Sequence, residues 1–147
     1  MEEAFMNDCI FCKIIAGEIP SVKIYEDDDV YAFMDISQTT PGHTLLVPKQ
    51  HVADILAYDA DLASKVFSKL PMIARAVKNS DPAIKGLNIV NNNGEVAYQS
   101  VFHSHIHIIP RYSSADTFAI RFSDNSADYS AEQLQALAAK IVAHLEK

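Results

Sequence analysis

The sequence predicts an α+β domain in which an antiparallel sheet of about five strands packs with two longer helices and a short N-terminal helix. Three observations support this fold class: five short apolar segments are bounded by turn residues, two long segments have helical apolar spacing, and the connections are short. The strands cluster instead of alternating with helices, which argues against a parallel βαβ fold. Because no repeat or linker interrupts the chain, residues 1–147 are predicted to form a single domain.

The N-terminal half contains the short helix and the first three strands. CIFCKIIAGE has helical apolar spacing, Gly17 closes the predicted helix, and Pro20 prevents its continuation. SVKIYEDDDVYAFMDI predicts two strands joined by a turn at 27–29. Gly42 breaks the chain before HTLLVPK, which is the third predicted strand.

The C-terminal half contains the longer helices and the remaining strands. Apolar residues recur at helical spacing across 59–79, and Pro71 predicts a kink or break there. LNIVNNNG and SVFHSHIHII are the last two predicted strands. SAEQLQALAAKIVAHLEK predicts a helix that begins with a capping box of Ser130 and Gln133. Its buried stripe is predicted to be Leu134, Leu137, Ile141 and Leu145.

Charge and hydropathy exclude several classes of function. The formal net charge of -7 argues against a nucleic-acid polymer as partner, although a small phosphorylated ligand needs only a local site. MEEAFMNDCIFCK lacks the basic and apolar regions of a secretory signal. No apolar stretch approaches the roughly 18 residues of a membrane span. A cytoplasmic protein without a membrane partner is therefore expected.

Three of the six histidines, His103, His105 and His107, occupy alternate positions within VFHSHIHIIPRY. Successive side chains of a strand point to opposite faces, so the three imidazoles are predicted to share one face. The opposite face is predicted to carry Phe102, Ser104, Ile106 and Ile108. Near pH 7 an imidazole can act as a nucleophile or as an acid, which favours a catalytic role. Solvent-facing histidines without a task, or a purely structural metal site, are the alternatives.

These segments resemble the histidine triad (HIT) family. VFHSHIHIIPRY resembles the family signature, CIFCKIIAGEIPS its N-terminal helix, YAFMDISQTTPGHTLLVPKQH its central strands, and NNNGEVAYQSVFHSHIH its phosphate-binding turn and triad. The bacterial-type branch with an N-terminal CxxC is the nearest match. The resemblance implies a HIT-like fold, a homodimer and a site for a purine nucleotide or nucleotide conjugate. It does not separate adenine from guanine.

Two positions depart from the family pattern. Tyr98 stands where the family usually has Gly before the Gln, and we expect it to narrow the mouth of the phosphate site. Ser104 replaces an apolar residue within the triad. Its side chain is expected to point away from the catalytic face and to matter less.

The resemblance implies a hydrolase that acts through a covalent intermediate. His105 is the expected nucleophile, which attacks the α-phosphorus of a nucleotide derivative, and water then hydrolyses the nucleotidyl-histidine. His107 is expected to contact the leaving atom and supply a proton. His43 is expected to orient the triad, and His103 completes the predicted catalytic group. The chemistry needs positioning and donors but no catalytic metal.

The predicted nucleotide site has a polar and an apolar part. Asp35 is expected to accept hydrogen bonds from both ribose hydroxyls. The candidate phosphate donors are Asn92, Gln99 and Ser100. The apolar slot for the base is expected to consist of Phe11, Ile14, Phe33 and Leu45.

Cys9 and Cys12 have the spacing of a metal-binding or redox pair. Zinc favours four tetrahedral nitrogen and sulfur ligands. The resemblance implies that His51 and His103 complete a closed structural zinc site with the two cysteines. Two unligated thiols, or a redox CxxC, remain the alternatives.

Two other functions are open from the sequence. The chain could be a nucleotide-binding or interaction module whose hydrolysis is incidental. Alternatively, His103, His105 and His107 could hold a catalytic zinc, which would leave Cys9 and Cys12 without a task.

Overall fold

The computed structural model describes residues 8–146 and contains a five-stranded antiparallel sheet. Its elements in chain order are α1 (Ile10–Ile15), β1 (Lys23–Glu26), β2 (Val30–Met34), β3 (Thr44–Pro48), α2 (Ala60–Phe67), α3 (Leu70–Asn79), β4 (Gly86–Val90), β5 (Ile106–Arg111) and α4 (Ala131–Val142). The strands pair in the order β1-β2-β3-β5-β4, and every pairing is antiparallel. The predicted α+β class is confirmed. Most of the stretch that carried the secretory-signal prediction, and Lys147, lie outside the described residues.

Both faces of the sheet are covered, and alternate residues of β2 show how. Val30 and Ala32 pack with residues of α2 and α3, such as Val66 and Ile73, in one buried cluster. Tyr31 and Phe33 face the other side, where a second cluster includes Phe11 and Ile14 of α1. The short helix α1 therefore covers the face of the sheet opposite to α2 and α3.

The segment 59–79 forms two helices, as Pro71 predicted. α2 ends at Phe67, and α3 begins at Leu70 with Pro71 in its first turn. A proline is tolerated there because the first N–H groups of a helix have no partner within the helix. None of the helices among residues 8–146 has the length and apolar character needed to cross a bilayer.

The strand that carries the triad begins later than predicted. β5 starts at Ile106, so His103 and His105 precede it and His107 lies within it. The Ser104 N–H donates to the Val52 carbonyl at 2.7 Å. On the neighbouring strand, Pro48 has no N–H with which to extend the ladder. Phe102, predicted to face the core, is half exposed.

Helix α4 begins where predicted but ends at Val142, before the end of the predicted segment, and its apolar stripe is not buried within the chain. The capping box is present, since the side chains of Ser130 and Gln133 bond each other's backbone N–H groups. However, Leu137 is 44% exposed and Ile141 is 68% exposed. The prediction of a buried stripe formed by Leu134, Leu137, Ile141 and Leu145 is therefore wrong for the single chain. Helical periodicity identifies an apolar face, but it does not say what covers that face.

Candidate active site and metal site

The sheet register places one row of predicted site residues side by side. Phe33 of β2 pairs with Leu45 of β3, and Leu45 pairs with His107 of β5. Directly paired residues point to the same face, so this row lies on the α1 side of the sheet. Phe11 of α1 contacts Phe33 edge-on, with ring centroids 5.6 Å apart.

A cavity of about 300 Å³ opens between α1 and this row. Its apolar wall includes Phe11, Ile14, Phe33 and Leu45, which are the four residues predicted for the base slot. Its polar lining includes Asp35, Ser100, His105 and His107. The fold thus brings most of the predicted nucleotide-site residues to one cavity.

His105 presents an unprotonated ring nitrogen. Its Nδ1–H donates to the His103 carbonyl at 2.8 Å, so the neutral ring carries its lone pair on Nε2. Burial lowers the pKa of His105, although the carbonyl contact and the Asp35 carboxylate act in the opposite direction. The ring is therefore neutral at pH 7 and has the protonation state that a nucleophile requires.

His43 and His107 form a directed hydrogen-bond chain. The Thr39 N–H donates to Nδ1 of His43 at 3.3 Å, which leaves the proton of the neutral His43 ring on Nε2. His43 Nε2–H then donates to His107 Nδ1 at 2.9 Å. The proton of His107 is consequently on Nε2. Burial, with His105 and His43 nearby, lowers the pKa of His107 to about 4.

His105 and His107 thus offer complementary groups. Their ring centroids are 5.0 Å apart, and both residues line the cavity. His105 has a lone pair on Nε2, and His107 has a proton on Nε2. Such a pair can attack an electrophilic atom and donate a hydrogen bond to the group that leaves.

Asp35 is held as a carboxylate at the edge of the cavity. The Ser37 N–H and hydroxyl donate to its Oδ1 at 2.8 Å and 2.5 Å. Burial acts to raise the pKa of Asp35, but these donors, with His43 and His107, hold the pKa below its ordinary value. Its Oδ2 lies 3.7 Å from His43 Nε2.

Two of the predicted phosphate donors do not line the cavity. Gln99 is buried, and its amide N–H groups donate to the carbonyls of Ala53 and Val101. Its Oε1 accepts from the Gly94 N–H. Gln99 therefore holds the 94–101 turn instead of facing a phosphate. Asn92 is also absent from the lining, whereas Ser100 is part of it.

The four predicted metal ligands form one cluster. Donor atoms of Cys9, Cys12, His51 and His103 all lie within 4.8 Å of one another. Cys9 Sγ is 3.4 Å from His103 Nδ1, and Cys12 Sγ is 3.3 Å from His51 Nδ1. Tetrahedral zinc with ordinary bond lengths separates sulfur from nitrogen ligands by about 3.5 Å. The sulfur–nitrogen separations given above fit a metal ion bound by the four side chains.

The surroundings of the cluster favour metal binding. His103 Nε2–H donates to the Pro48 carbonyl at 2.8 Å, which leaves Nδ1 free to act as a ligand. Burial, with His51 and His105 nearby, lowers the pKa of His103 to about 4, so the ring is neutral. Burial and the adjacent Cys9 raise the pKa of Cys12 to about 12, so without a metal this thiol stays protonated. A bound cation would reverse that preference.

The HIT domain family model matches residues 16–114 of this chain. The chain belongs to the HIT family. Protein hit of Bacillus subtilis is 51% identical over 139 residues, which cover 95% of both chains. The solved structure of a HIT family member from Bacillus subtilis has a TM-score of 0.92 and 49% identity, covering 95% of this chain and 99% of the other.

Two further HIT relatives bear on chemistry. Adenosine 5'-monophosphoramidase HNT1 of Candida albicans is 35% identical over 142 residues, covering 95% of this chain and 92% of the relative. A solved structure described as a Zn-bound histidine triad family protein from Mycobacterium smegmatis has a TM-score of 0.71 and 32% identity, and covers 95% of this chain and 99% of the other.

Within this HIT fold the triad divides between two sites. His105 and His107 line the cavity, whereas Nδ1 of His103 faces the cysteines. His107 Nδ1 groups instead with Asp35 and His43. The three triad rings do not converge on a common point, so the hypothesis of a catalytic zinc held by His103, His105 and His107 is wrong.

The two departures from the HIT pattern have structural explanations. Tyr98 has φ 70° and ψ 19°, in the left-handed region that favours glycine. Its side chain is 87% exposed and does not line the cavity, so the predicted narrowing of the phosphate site is wrong. Ser104 is buried and points away from the cavity, as predicted. Its hydroxyl forms a hydrogen bond with the Tyr58 hydroxyl at 3.0 Å.

Sequence reasoning missed three residues that support the site. The amide of Asn91 donates to the His105 carbonyl at 2.9 Å. The Thr39 N–H sets the His43 tautomer, and the side chain of Gln38 bonds the backbone of Asp35 and His43. The NNN run and the polar stretch SQTT marked these positions only as turns.

Proposed function

We propose that this HIT protein hydrolyses nucleotide phosphoramidates or related nucleotidyl conjugates at the α-phosphate, through a covalent intermediate on His105. The observation that carries the proposal is the complementary pair formed by His105 and His107 at the wall of one cavity. A nucleotide-hydrolysing activity agrees with the name of the Candida albicans relative, a monophosphoramidase.

The first step forms and breaks one bond to phosphorus. The Nε2 lone pair of His105 bonds the α-phosphorus, and the bond from phosphorus to the leaving nitrogen or oxygen breaks. The electron pair of that bond goes to the leaving atom, which takes a proton from the His43–His107 pair through His107 Nε2. The pair must carry one extra proton for this step, and the negative charge of the bound phosphate favours that state. Asp35, 3.7 Å from His43 Nε2, stabilises positive charge on this pair.

The second step regenerates the protein. Water bonds the phosphorus, the bond to His105 breaks, and its electron pair returns to Nε2. A proton from the water returns to the His43–His107 pair. Both steps need the rings held in place and donors toward the phosphate oxygens, for which Ser100 is the candidate side chain in the cavity lining.

The substrate is proposed to bind with its base in the apolar slot. Phe11 presents its ring edge to His105 with centroids 5.1 Å apart, so the slot lies directly beside the reacting centre. A purine in the slot gains stacking and apolar burial. Asp35, a carboxylate that lines the cavity, is proposed to accept hydrogen bonds from the ribose hydroxyls.

The metal cluster is proposed to be a structural zinc site. Two thiols and two imidazoles are the donor set that zinc prefers, and all four positions are filled by the protein. A bound zinc would hold α1 against the segment that leads into β5. No catalytic step passes through it.

The exposed face of α4 is proposed to pack against a second copy of the chain. Helix α4 has no buried residue, although Leu134, Leu137 and Ile141 follow one stripe, and Leu145 just beyond the helix is exposed as well. Apolar patches of this extent on a monomer usually mark an interface. In a symmetric dimer each copy covers the stripe of the other. Light scattering should show a dimer, and Leu137→Glu with Ile141→Glu should give monomers; a wild-type monomer at every concentration would exclude this interface.

The test of the proposed activity is His105→Ala. We expect the variant to fold, to bind the nucleotide product and to lose turnover of an adenosine phosphoramidate. Asp59→Ala is the control, because Asp59 caps α2 on the far side of the sheet from the cavity. A His105→Ala variant with most of the wild-type rate would exclude the covalent mechanism. Tight nucleotide binding with negligible wild-type turnover would instead indicate a binding module.

The cytoplasmic location expected from the sequence stays a prediction.

A further inference from the structure

Gln38 has a backbone conformation that needs an explanation. Its φ is 41°, in the left-handed region that residues with a side chain rarely occupy. It lies in the loop between Asp35 and His43. His43 bonds His107, and the Asp35 carboxylate lies 3.7 Å from His43. Backbone strain of this kind persists where surrounding contacts impose it, and it clusters at functional sites.

The amide of Gln38 connects both ends of this loop. Its Nε2 donates to the Asp35 carbonyl at 2.6 Å and to the His43 carbonyl at 2.8 Å. Its Oε1 accepts from the Gly42 N–H at 2.8 Å. The side chain thus uses both its donor and its acceptor groups within the loop, on the backbone of Asp35, Gly42 and His43.

Other contacts fix the outer side of the same loop. Thr40 donates its hydroxyl to the Pro110 carbonyl at 2.6 Å, and Tyr112 donates to the Pro41 carbonyl at 2.5 Å. Thr117 donates to the Thr39 carbonyl at 3.0 Å. These bonds attach the loop to β5 and the chain beyond it, but none of them reaches the backbone of Asp35 or His43. Within the loop, the Asp35 N–H donates to the His43 carbonyl at 3.1 Å, and the Gln38 amide reinforces this backbone bond from the side.

The geometry of the loop decides which nitrogen of His43 carries the proton. The Thr39 N–H, next to Gln38, points at His43 Nδ1 from 3.3 Å. This donor keeps the His43 proton on Nε2, which in turn orients His107. Without the Gln38 amide, only backbone bonds would hold the inside of the loop, so the Thr39 N–H would be less firmly aimed at His43 and the ring could take either tautomer.

We infer that Gln38 is a positioning residue that fixes the tautomer of His43 and thereby the donor that His107 presents to the leaving group. The catalytic part of this inference rests on the proposed function, whereas the effect on the His43 ring does not. A residue that only stabilises the fold would affect folding without changing the positions of the imidazole protons. A positioning role for Gln38 can therefore be separated from a purely stabilising role by experiment.

The experiment compares Gln38→Ala with Gln38→Gly. Both variants lose the amide, but glycine adopts a positive φ without strain. We expect both to lower kcat/KM for an adenosine phosphoramidate by about 10- to 100-fold, because small misplacements near the reacting atoms have effects of this size. Nitrogen-15 NMR of the imidazoles, recorded without ligand, should show His43 changing from one tautomer to a mixture in both variants.

Asp59→Ala is the matched control. Asp59 caps α2 on the far side of the sheet by accepting from the Leu62 N–H at 2.8 Å, so its loss lowers stability away from the site. We expect the control to keep the wild-type imidazole spectrum and rate. Gln38→Glu should resemble Gln38→Ala, because a carboxylate cannot donate to the two carbonyls.

Three results would overturn the inference. They are an unchanged His43 tautomer in both variants, a rate loss no larger than in Asp59→Ala, or recovery of the rate in Gln38→Gly relative to Gln38→Ala. The last result would show that strain matters and the amide does not. If the wild-type protein proves inactive, the proposed function fails, but the imidazole spectra still decide the role of Gln38.

Discussion

Stripping metal from the cluster of Cys9, Cys12, His51 and His103 should destabilise the domain. The cluster joins Cys12 of α1 to His51 and His103, which lie 39 and 91 positions further along the chain. A ligand that binds only the folded state stabilises it by about 2.7 kcal/mol at 100 times its dissociation constant and by about 4.1 kcal/mol at 1,000 times. For a chain of this size, 1 kcal/mol shifts Tm by about 3 °C. With zinc at 100 to 1,000 times its dissociation constant, chelation should therefore lower Tm by about 8–12 °C.

The assay is thermal unfolding of protein purified without chelator, with metal content measured on the same sample. We expect close to one equivalent of zinc and a fall in Tm when a strong chelator is added. Cys9→Ser and Cys12→Ser should start from the lower Tm and should not respond to the chelator. Less than half an equivalent of zinc, or cysteine variants as stable as the wild type, would exclude a stabilising zinc site.

Three further predictions concern the pH profile, the ribose and the core. Burial lowers the pKa of His105, so the acid limb of kcat/KM, where protonation removes the nucleophile, should be centred below pH 6.5; a limb centred at or above 6.5 would contradict this. Asp35→Asn should raise KM about 10- to 100-fold for a ribonucleotide substrate but not for its 2',3'-dideoxy analogue, and equal effects on both would exclude ribose recognition. Leu46→Ala should lower the free energy of unfolding by about 2–5 kcal/mol, because Leu46 is fully buried between the sheet and α2 and α3, whereas a loss under 1 kcal/mol would contradict that packing.

Local patterns were sufficient to predict most elements of this fold. The apolar runs of β2 and β3 and the capping box of Ser130 concern residues close in sequence, and these elements form as predicted. The start of β5 depends instead on Pro48 and Val52, which bond the chain just before Ile106. These residues are distant in sequence, so no local pattern around β5 reveals the contacts.

The candidate site was predictable to the extent that the family motif specifies it. His105, His107, Asp35 and the base slot meet at one cavity because the motif fixes both residue type and register. The role of Gln99 was predicted incorrectly, since an amide in a turn can face a ligand or the backbone, and only the fold decides. Gln38 was missed because its partners, Asp35 and His43, become neighbours only when the loop closes.

His105 is proposed to form a covalent bond with the α-phosphorus during turnover, and mass spectrometry of quenched protein would detect that bond. Protein stopped within the first turnovers of an adenosine phosphoramidate should gain the mass of one adenylyl group, and peptide mapping should place it on His105. Hydrolysis at the full rate with no adduct at any time, or an adduct on another residue, would contradict the mechanism.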